Sequence, residues 1–333
     1  MLCRVAEDIF WMARYVERAI WVCRLIDVTA QVELDAGEAD THAQLWTHLL
    51  GPDSGVDARE LSPRAVRHRL SFDRSNPGSL VECIRRGREA ARGVRESISS
   101  EMWEQLNSLY LSLTRPDLAA SVEDNPSAFY RQVRERAQFF EGLADLTMAR
   151  DEAWHFNRVG KKLERADNVA RVIRMHSYLL RPSPDAAPMD ETVRWLAVLR
   201  SCGCAEAYAH HYALRVEPAR ALEFLLLNPL FPQSMRFSLN AAWESLSAIA
   251  GIGPSGAPVS NQAVRTLAMA RAVVETTEVD QILSRGLEEY LSDIQSRIAT
   301  AADDITATYL RYEPQSGRVV AATRAAMIMA QQQ

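Results

Sequence analysis

A short charged motif occurs twice in this chain, each time inside a segment that is otherwise apolar. The two copies read Arg14-Tyr15-Val16-Glu17-Arg18-Ala19 and Lys161-Lys162-Leu163-Glu164-Arg165-Ala166. An offset of 147 positions carries the glutamate of the first copy onto that of the second, and the same offset carries Arg24 onto Arg171. A charge pattern kept at one offset predicts one structural unit used twice.

The overall balance of residues limits the classes of protein to consider. The chain has 333 residues, 47% of them hydrophobic and 24% charged, with a net charge of −5. This balance is typical of a globular protein of one large domain or two ordinary ones. The acidic total favours neither nucleic acid nor an anionic membrane as a partner. Charged residues interrupt each apolar run near the start, and no stretch reaches the ~20 uncharged residues of a membrane span. We therefore expect a cytoplasmic protein.

Metal and cofactor chemistry finds little support in the sequence. The five cysteines are odd in number and scattered, which predicts free thiols in a reducing cytosol. Glu152 and His155 have the spacing of a di-iron bundle, but such a site needs a second Glu-x-x-His pair and two further carboxylates. Nucleotide-binding glycine loops are not found either. We predict no metal and no cofactor, so any ATP would be bound by a partner.

Apolar residues recur at helical spacing almost throughout, and no segment alternates as a strand would. The motif helices are expected over 2–34 and 151–180, and another long helix over 279–312. Asn76-Pro77, Ser99 and Asn125-Pro126 are start signals for further helices. The sequence predicts an all-α, long-helix bundle of two pseudo-repeats, residues 1–150 and 151–312, each opened by a Glu-Arg motif helix. Residues 313–333 form a flexible tail in this interpretation, and whether the repeats share one core stays open.

Helix geometry places the charges of each motif on shared stripes, because residues three, four and seven apart lie on one face. The stripes contain Arg14, Glu17 and Arg24 in the first copy, and Lys161, Glu164 and Arg171 in the second. Arg18 and Arg165 lie on the adjacent stripe. Each copy therefore has more cations than carboxylates.

Two interpretations of these charges stay open. In the structural one, the motif helices cross antiparallel and their charges pair across the crossing. The candidate pairs are Glu17 with Arg165 or Arg171, and Glu164 with Arg18 or Arg24. A buried network of this kind fixes the register between two helices. In the binding interpretation, the surplus cations hold a carboxylate or a phosphate.

Four separated blocks of the sequence resemble the bacterial alpha-E family, which is named for a helical domain with a Glu-Arg motif that typically occurs in tandem. The blocks are residues 1–19, 76–107, 163–171 and 228–234. Two of them depart from the family pattern. Ile20-Trp21 replaces a polar acidic continuation after the first motif, and Asn228 and Gln233 replace the Asp and the Pro-Arg-Ser of the later turn.

The resemblance implies a bacterial system of peptide synthesis or modification in which amide bonds form between carboxylates and amines. Such proteins accompany circularly permuted ATP-grasp ligases, transglutaminase-like proteins and proteasome-like hydrolases. We expect a helical accessory or co-catalytic partner of an ATP-grasp ligase. The cations expected to engage a carboxylate are Arg14, Arg18, Arg24, Lys161, Arg165 and Arg171, with Glu17 and Glu164 orienting them.

Two alternatives are kept. In the first, the chain is an enzyme on its own, with Glu164 as general base toward an amine and Arg165 as oxyanion stabiliser. Glu17 and Arg18 are then the matching catalytic candidates in the first copy. In the second, the chain is a scaffold whose charges only lock the repeats together. The oligomeric state, including a homo-oligomer, stays open.

Overall fold

The computed structural model of the chain describes most of its length. The described residues are 1–35, 46, 49–50, 62–115, 118, 122–123, 125–179, 191–212, 216–251 and 261–311. Within them the chain forms thirteen α-helices and no strand, which confirms the all-α class. The tail after residue 312 and the proline-containing segment 180–190 lie outside the described residues.

The helices are numbered in chain order. They are α1 (Cys3–Asp35), α2 (Pro63–Ser71), α3 (Leu80–Gly93), α4 (Ser100–Leu113), α5 (Pro126–Thr147), α6 (Glu152–Leu179), α7 (Glu191–Ser201), α8 (Ala205–Tyr212), α9 (Pro218–Leu222), α10 (Met235–Ile249), α11 (Gln262–Thr276), α12 (Val279–Arg285) and α13 (Leu287–Ile305). Two π-helical turns, Glu223–Leu227 and Thr306–Leu310, continue α9 and α13. The motif helices α1 and α6 begin and end within a residue of the expected positions.

Side-chain caps explain where several helices begin. Ser99 and Asn125 cap α4 and α5 as predicted, each accepting a backbone N–H of the first turn. The expectation that Asn76 caps α3 is wrong. Its Oδ1 instead accepts the N–H of Gly78 at 3.0 Å, a local turn that leaves Ser79 to cap the helix.

The long helix expected over 279–312 is interrupted. Gly286 separates α12 from α13 with φ of 106°, a conformation that a residue with a Cβ rarely adopts. The apolar period continues across the break because both helices still face the core. Periodicity alone therefore predicted one helix where the structure has two.

The two motif helices lie at the centre of one continuous apolar core. Helix α1 packs on α3 and α5, and α4 closes that group by packing on both of them. Helix α6 packs on α10 and α13, and α11 packs on both of those in turn. The pairing order is the same in the two halves, while the division of the chain at residue 150 stays a prediction.

Helices α1 and α6 pack directly on each other and run parallel. Their contacts advance in the same direction along both helices: the Met1 amine meets Glu152, Phe10 faces Gly160, and Glu17 meets Arg165. The antiparallel crossing is therefore wrong. The close approach depends on Gly160, since a Cβ there would collide with the backbone carbonyl of Phe10.

None of the described helices keeps the apolar character needed over the ~20 residues of a membrane crossing.

Candidate functional site

The glutamate of the second motif is buried and fully engaged by the first motif. Glu164 is 0% exposed, and its carboxylate accepts hydrogen bonds from Arg14 Nε at 2.8 Å and from Arg18 Nε and Nη2 at 2.6 and 2.9 Å. Burial opposes ionisation, but Arg18 and Arg14 lower the pKa of Glu164 to about 2. Three charge-assisted bonds therefore hold an ionised group in the interior.

The glutamate of the first motif is held in the reciprocal way. Glu17 is 1% exposed, and Arg165 Nε and Nη2 donate to its two oxygens at 2.6 and 2.7 Å. Trp21 Nε1 adds a third bond at 2.9 Å. Burial would raise the pKa of Glu17, but Arg165 holds it well below its usual range. We call these two reciprocal sets of ion pairs the Glu-Arg clasp; it contains two of the four candidate pairs, Glu17–Arg165 and Glu164–Arg18.

Helix α5 adds two acidic residues that sequence reasoning missed. Glu141 lies 3.5 Å from Arg165 Nη2, and Asp145 lies 3.8 Å from the Lys161 amine. Burial and the neighbouring Glu17 raise the pKa of Glu141 to about 8, so this carboxyl group is protonated at neutral pH. Nothing in the sequence links α5 to the motifs, because the contact depends on how the helices pack.

Lys162, which is not among the predicted site residues, is buried beside the clasp. Its amine lies 3.5 Å from the carbonyl oxygen of Pro232 and 4.7 Å from the ring centre of Phe237. Burial, with Arg165 and Lys161, lowers the pKa of Lys162 to about 7. The sequence feature that could have pointed to Lys162 is composition, since Lys161 and Lys162 are the only lysines among 38 basic residues.

Arg24 is a cation that the clasp does not use. Among the described residues it makes no hydrogen bond or ion pair, and its guanidinium lies against Gly203 in the turn between α7 and α8. Burial lowers the pKa of Arg24; Glu17 opposes that shift, and Arg134 and Arg165 add to it. Arg134 in turn pairs with Asp27 at 3.6 Å. Within the described residues, Arg24 therefore has no acid partner of its own, although both neighbouring arginines have one.

Arg171 lies apart from these residues. Its side chain is 54% exposed and binds Asp167 on the same helix at 2.7 Å. Arg171 lies on the same helix stripe as Glu164, but it is further along α6 than the residues that form the clasp. The structure thus brings together seven of the eight predicted site residues around the clasp and leaves Arg171 outside.

This geometry suits binding better than proton transfer. Both oxygens of Glu164 are occupied and its pKa is far below neutral, which does not fit a general base. Arg165 has committed Nε and Nη2 to Glu17, and Nη1 lies 3.4 Å from the Pro232 carbonyl. In the described part of the chain, no three His, Cys, Asp or Glu side chains are grouped as metal ligands. Glu152 instead pairs with the Met1 amine.

Comparison with known proteins identifies the family. A family model described as "a predicted alpha-helical domain with a conserved ER motif" matches residues 1–310, which include both motif copies. The chain belongs to the alpha-E family. Uncharacterized proteins of Mycobacterium bovis and of two Mycobacterium tuberculosis strains, CDC 1551 and H37Rv, are similar to it, each at 24% identity. The match covers 92% of this alpha-E chain, which spans 37% of the length of each relative. No solved structure matches.

Proposed function

We propose that this alpha-E protein is a helical accessory component of a bacterial peptide synthesis or modification system, and that Arg24 binds a carboxylate of the peptide or of the partner. The partner in this proposal is a circularly permuted ATP-grasp ligase, with a transglutaminase-like protein as a further component. Family membership supports the system, and the cation without an acid partner supports the ligand class.

The single observation that carries the proposal is the state of Arg24. The other five predicted carboxylate-binding cations already meet a carboxylate of the protein: Arg14 and Arg18 meet Glu164, Arg165 meets Glu17, Lys161 meets Asp145 and Arg171 meets Asp167. Arg24 meets none within the described residues, although its side chain is half-buried and an unpaired guanidinium is costly where it is removed from water. A planar guanidinium with free donors is suited to a carboxylate, which it binds through two parallel hydrogen bonds.

The clasp has a different role in this proposal. It holds α1 against α6 and so fixes where Arg24 lies relative to the turn at Gly203. The scaffold alternative rests on the same clasp, because both oxygens of Glu17 and of Glu164 already accept hydrogen bonds from within the protein. The binding proposal requires Arg24 to contact a carboxylate of another molecule, whereas the scaffold alternative gives Arg24 no ligand.

The test compares Arg24→Gln with Arg171→Gln, which removes the equivalent cation of the second motif from an exposed pair. A circularly permuted ATP-grasp ligase is co-expressed with the tagged alpha-E protein, and retention of the ligase and formation of modified peptide are measured. A charge-assisted hydrogen bond contributes about 1.5–3 kcal/mol, so Arg24→Gln should weaken binding about tenfold to a hundredfold. Arg171→Gln should leave it unchanged.

Melting temperatures of both variants separate binding from folding. Equal melting temperatures with a loss confined to Arg24→Gln support the proposal. Full retention and full peptide output by Arg24→Gln would leave the scaffold as the better account. Turnover of peptide by the alpha-E protein alone would favour the enzyme alternative.

A further inference from the structure

Lys162 is not needed for the clasp. The offset of 147 relates it to Tyr15 in the first motif, and Tyr15 stacks on Trp11 with ring centres 5.6 Å apart. The first motif helix therefore takes part in the clasp with an aromatic residue at this position. All but two of the 38 basic residues are arginine, so arginine is the usual choice for a permanent cation in this chain. A lysine here supplies what arginine does not, an amine that can lose its proton.

The surroundings of Lys162 favour the uncharged amine. The residue is 7% exposed, so burial opposes its charge. The Phe237 ring of α10, whose centre lies 4.7 Å from the amine, acts in the opposite direction. The titratable groups that act on its pKa are Arg165 and Lys161 on its own helix, which lower it, and Glu17 on α1 and Glu141 on α5, which raise it where they are ionised.

Neither acid holds the proton of Lys162. The oxygens of Glu17 are occupied by Arg165 and Trp21, and Glu141 is itself protonated at neutral pH. A desolvated amine next to other cations is a nucleophile, because its lone pair is free at neutral pH.

We propose that Lys162 is a site of reversible carbamylation by carbon dioxide. The lone pair of the amine attacks the carbon of CO2, a C–N bond forms, one C=O π pair moves to oxygen, and a proton passes to solvent. The product is a carbamate anion, and no other reactant is required. Carbon dioxide is small and uncharged, so it suits an amine that lies beneath the turn at Pro232.

Two cations near Lys162, Arg165 and Lys161, would be close to the carbamate. The Arg165 guanidinium binds Glu17 through Nε and Nη2, which leaves Nη1. The contact of Nη1 with the Pro232 carbonyl oxygen is long at 3.4 Å. Pro232 is exposed, so water can replace that contact. Lys161 is a second cation, since its pairing with the exposed Asp145 is also long at 3.8 Å. A carbamate would thus convert an amine that meets no carboxylate in the described part of the chain into an ion pair.

The experiment uses the full chain in buffer containing 13C-bicarbonate and follows carbamate carbons by NMR. The chain offers three amines, Lys161, Lys162 and the amino terminus, so assignment by substitution is direct. We expect a carbamate signal in the wild type and in Lys161→Arg that is lost in Lys162→Arg. The signal should weaken as the pH falls below 7, where Lys162 takes up a proton. A wild-type spectrum identical to that of Lys162→Arg, or a signal lost in Lys161→Arg instead, would overturn the proposal.

A second measurement does not depend on a variant that folds. The wild-type protein is treated with an alkylating reagent that esterifies carbamates, in the presence and absence of bicarbonate, and its peptides are mapped by mass spectrometry. A bicarbonate-dependent ester on Lys162 supports the proposal. Esters confined to Lys161 or to the amino terminus contradict it. The outcome is independent of carboxylate binding at Arg24, so the two proposals succeed or fail separately.

Discussion

Glu17 of α1 and Arg165 of α6 form a buried ion pair through two hydrogen bonds of 2.6 and 2.7 Å, and the offset of 147 relates them to Glu164 and Arg18, which also pair with each other. Each of the two parallel helices thus contributes one glutamate and one arginine, and each glutamate pairs with the arginine of the other helix. A slip of either helix by one residue would unpair four charges in the interior. Because an unpaired buried charge is far costlier than a mispacked methyl group, the motif specifies the register of α1 on α6.

Removal of one arginine from the clasp should be strongly destabilising. Arg18→Met leaves the buried Glu164 with Arg14 alone, and we expect a loss of about 3 kcal/mol in the free energy of unfolding, measured in urea. Arg171→Met is the control: it breaks an exposed pair and should change stability by about 0.5 kcal/mol or less. Equal, small effects of the two substitutions would show that the clasp does not support the fold.

Protonated Glu141 predicts an unusual pH dependence. Its pKa is about 8 in the folded protein and 4.5 in the unfolded chain, so the unfolded chain loses this proton at a lower pH than the folded protein does. The contribution of Glu141 to stability therefore falls as the pH rises from 4.5 to 8. Glu141→Gln stays neutral and should flatten the curve of urea midpoint against pH over this interval. Glu135→Gln, exposed on the same helix, is the control and should leave the slope as in the wild type.

Two helical glycines should respond to alanine in opposite ways. Gly160→Ala places a Cβ against the Phe10 carbonyl and forces α1 away from α6, for which we expect a loss of about 2 kcal/mol or more. Gly142 on α5 has nothing within 4 Å of its Cβ position, so Gly142→Ala should gain up to about 1 kcal/mol from helix propensity. Thermal and urea unfolding measure both. A harmless Gly160→Ala would mean that the helices do not approach this closely.

Gly203 tests the position of Arg24 without changing its charge. A Cβ at Gly203 would lie 2.6 Å from Arg24 Cζ, and φ is 64°. Gly251 has a φ of 68° and nothing near its Cβ position, so Gly251→Ala has the same backbone strain alone. We expect both alanine variants to lose about 1–2 kcal/mol from that strain. Gly203→Ala alone should weaken retention of the ATP-grasp ligase, because its Cβ displaces the guanidinium.

The sequence was most informative where local rules decide the outcome. The bounds of α1 and α6 follow from apolar period, and α4 and α5 start where Ser99 and Asn125 can cap them. Pairing of Glu17 with Arg165 was also within reach, since a repeated charge on an apolar helix requires a partner of opposite sign.

The sequence was uninformative where the outcome depends on packing. Helical period says nothing about direction, so the parallel arrangement of α1 and α6 was missed. Glu141 joins the site from a helix with no motif, and the position of Lys162 beside Pro232 and Phe237 depends on how α10 and the turn before it pack on α6. Arg24 and Arg171 occupy equivalent positions, yet α7 and the following turn cover Arg24 while Arg171 faces solvent. These differences arise from what the rest of the chain places over each helix.

A double-mutant cycle on Glu17 and Arg165 tests the central claim, that the two motifs bind each other inside the protein, most directly. Glu17→Gln, Arg165→Met and the double variant are compared by urea unfolding, with the same cycle on Asp167 and the exposed Arg171 as the control. We predict a coupling free energy of about 2–3 kcal/mol for the buried pair and about 0.5 kcal/mol or less for the exposed one. A buried-pair coupling no larger than that of the control would contradict the account.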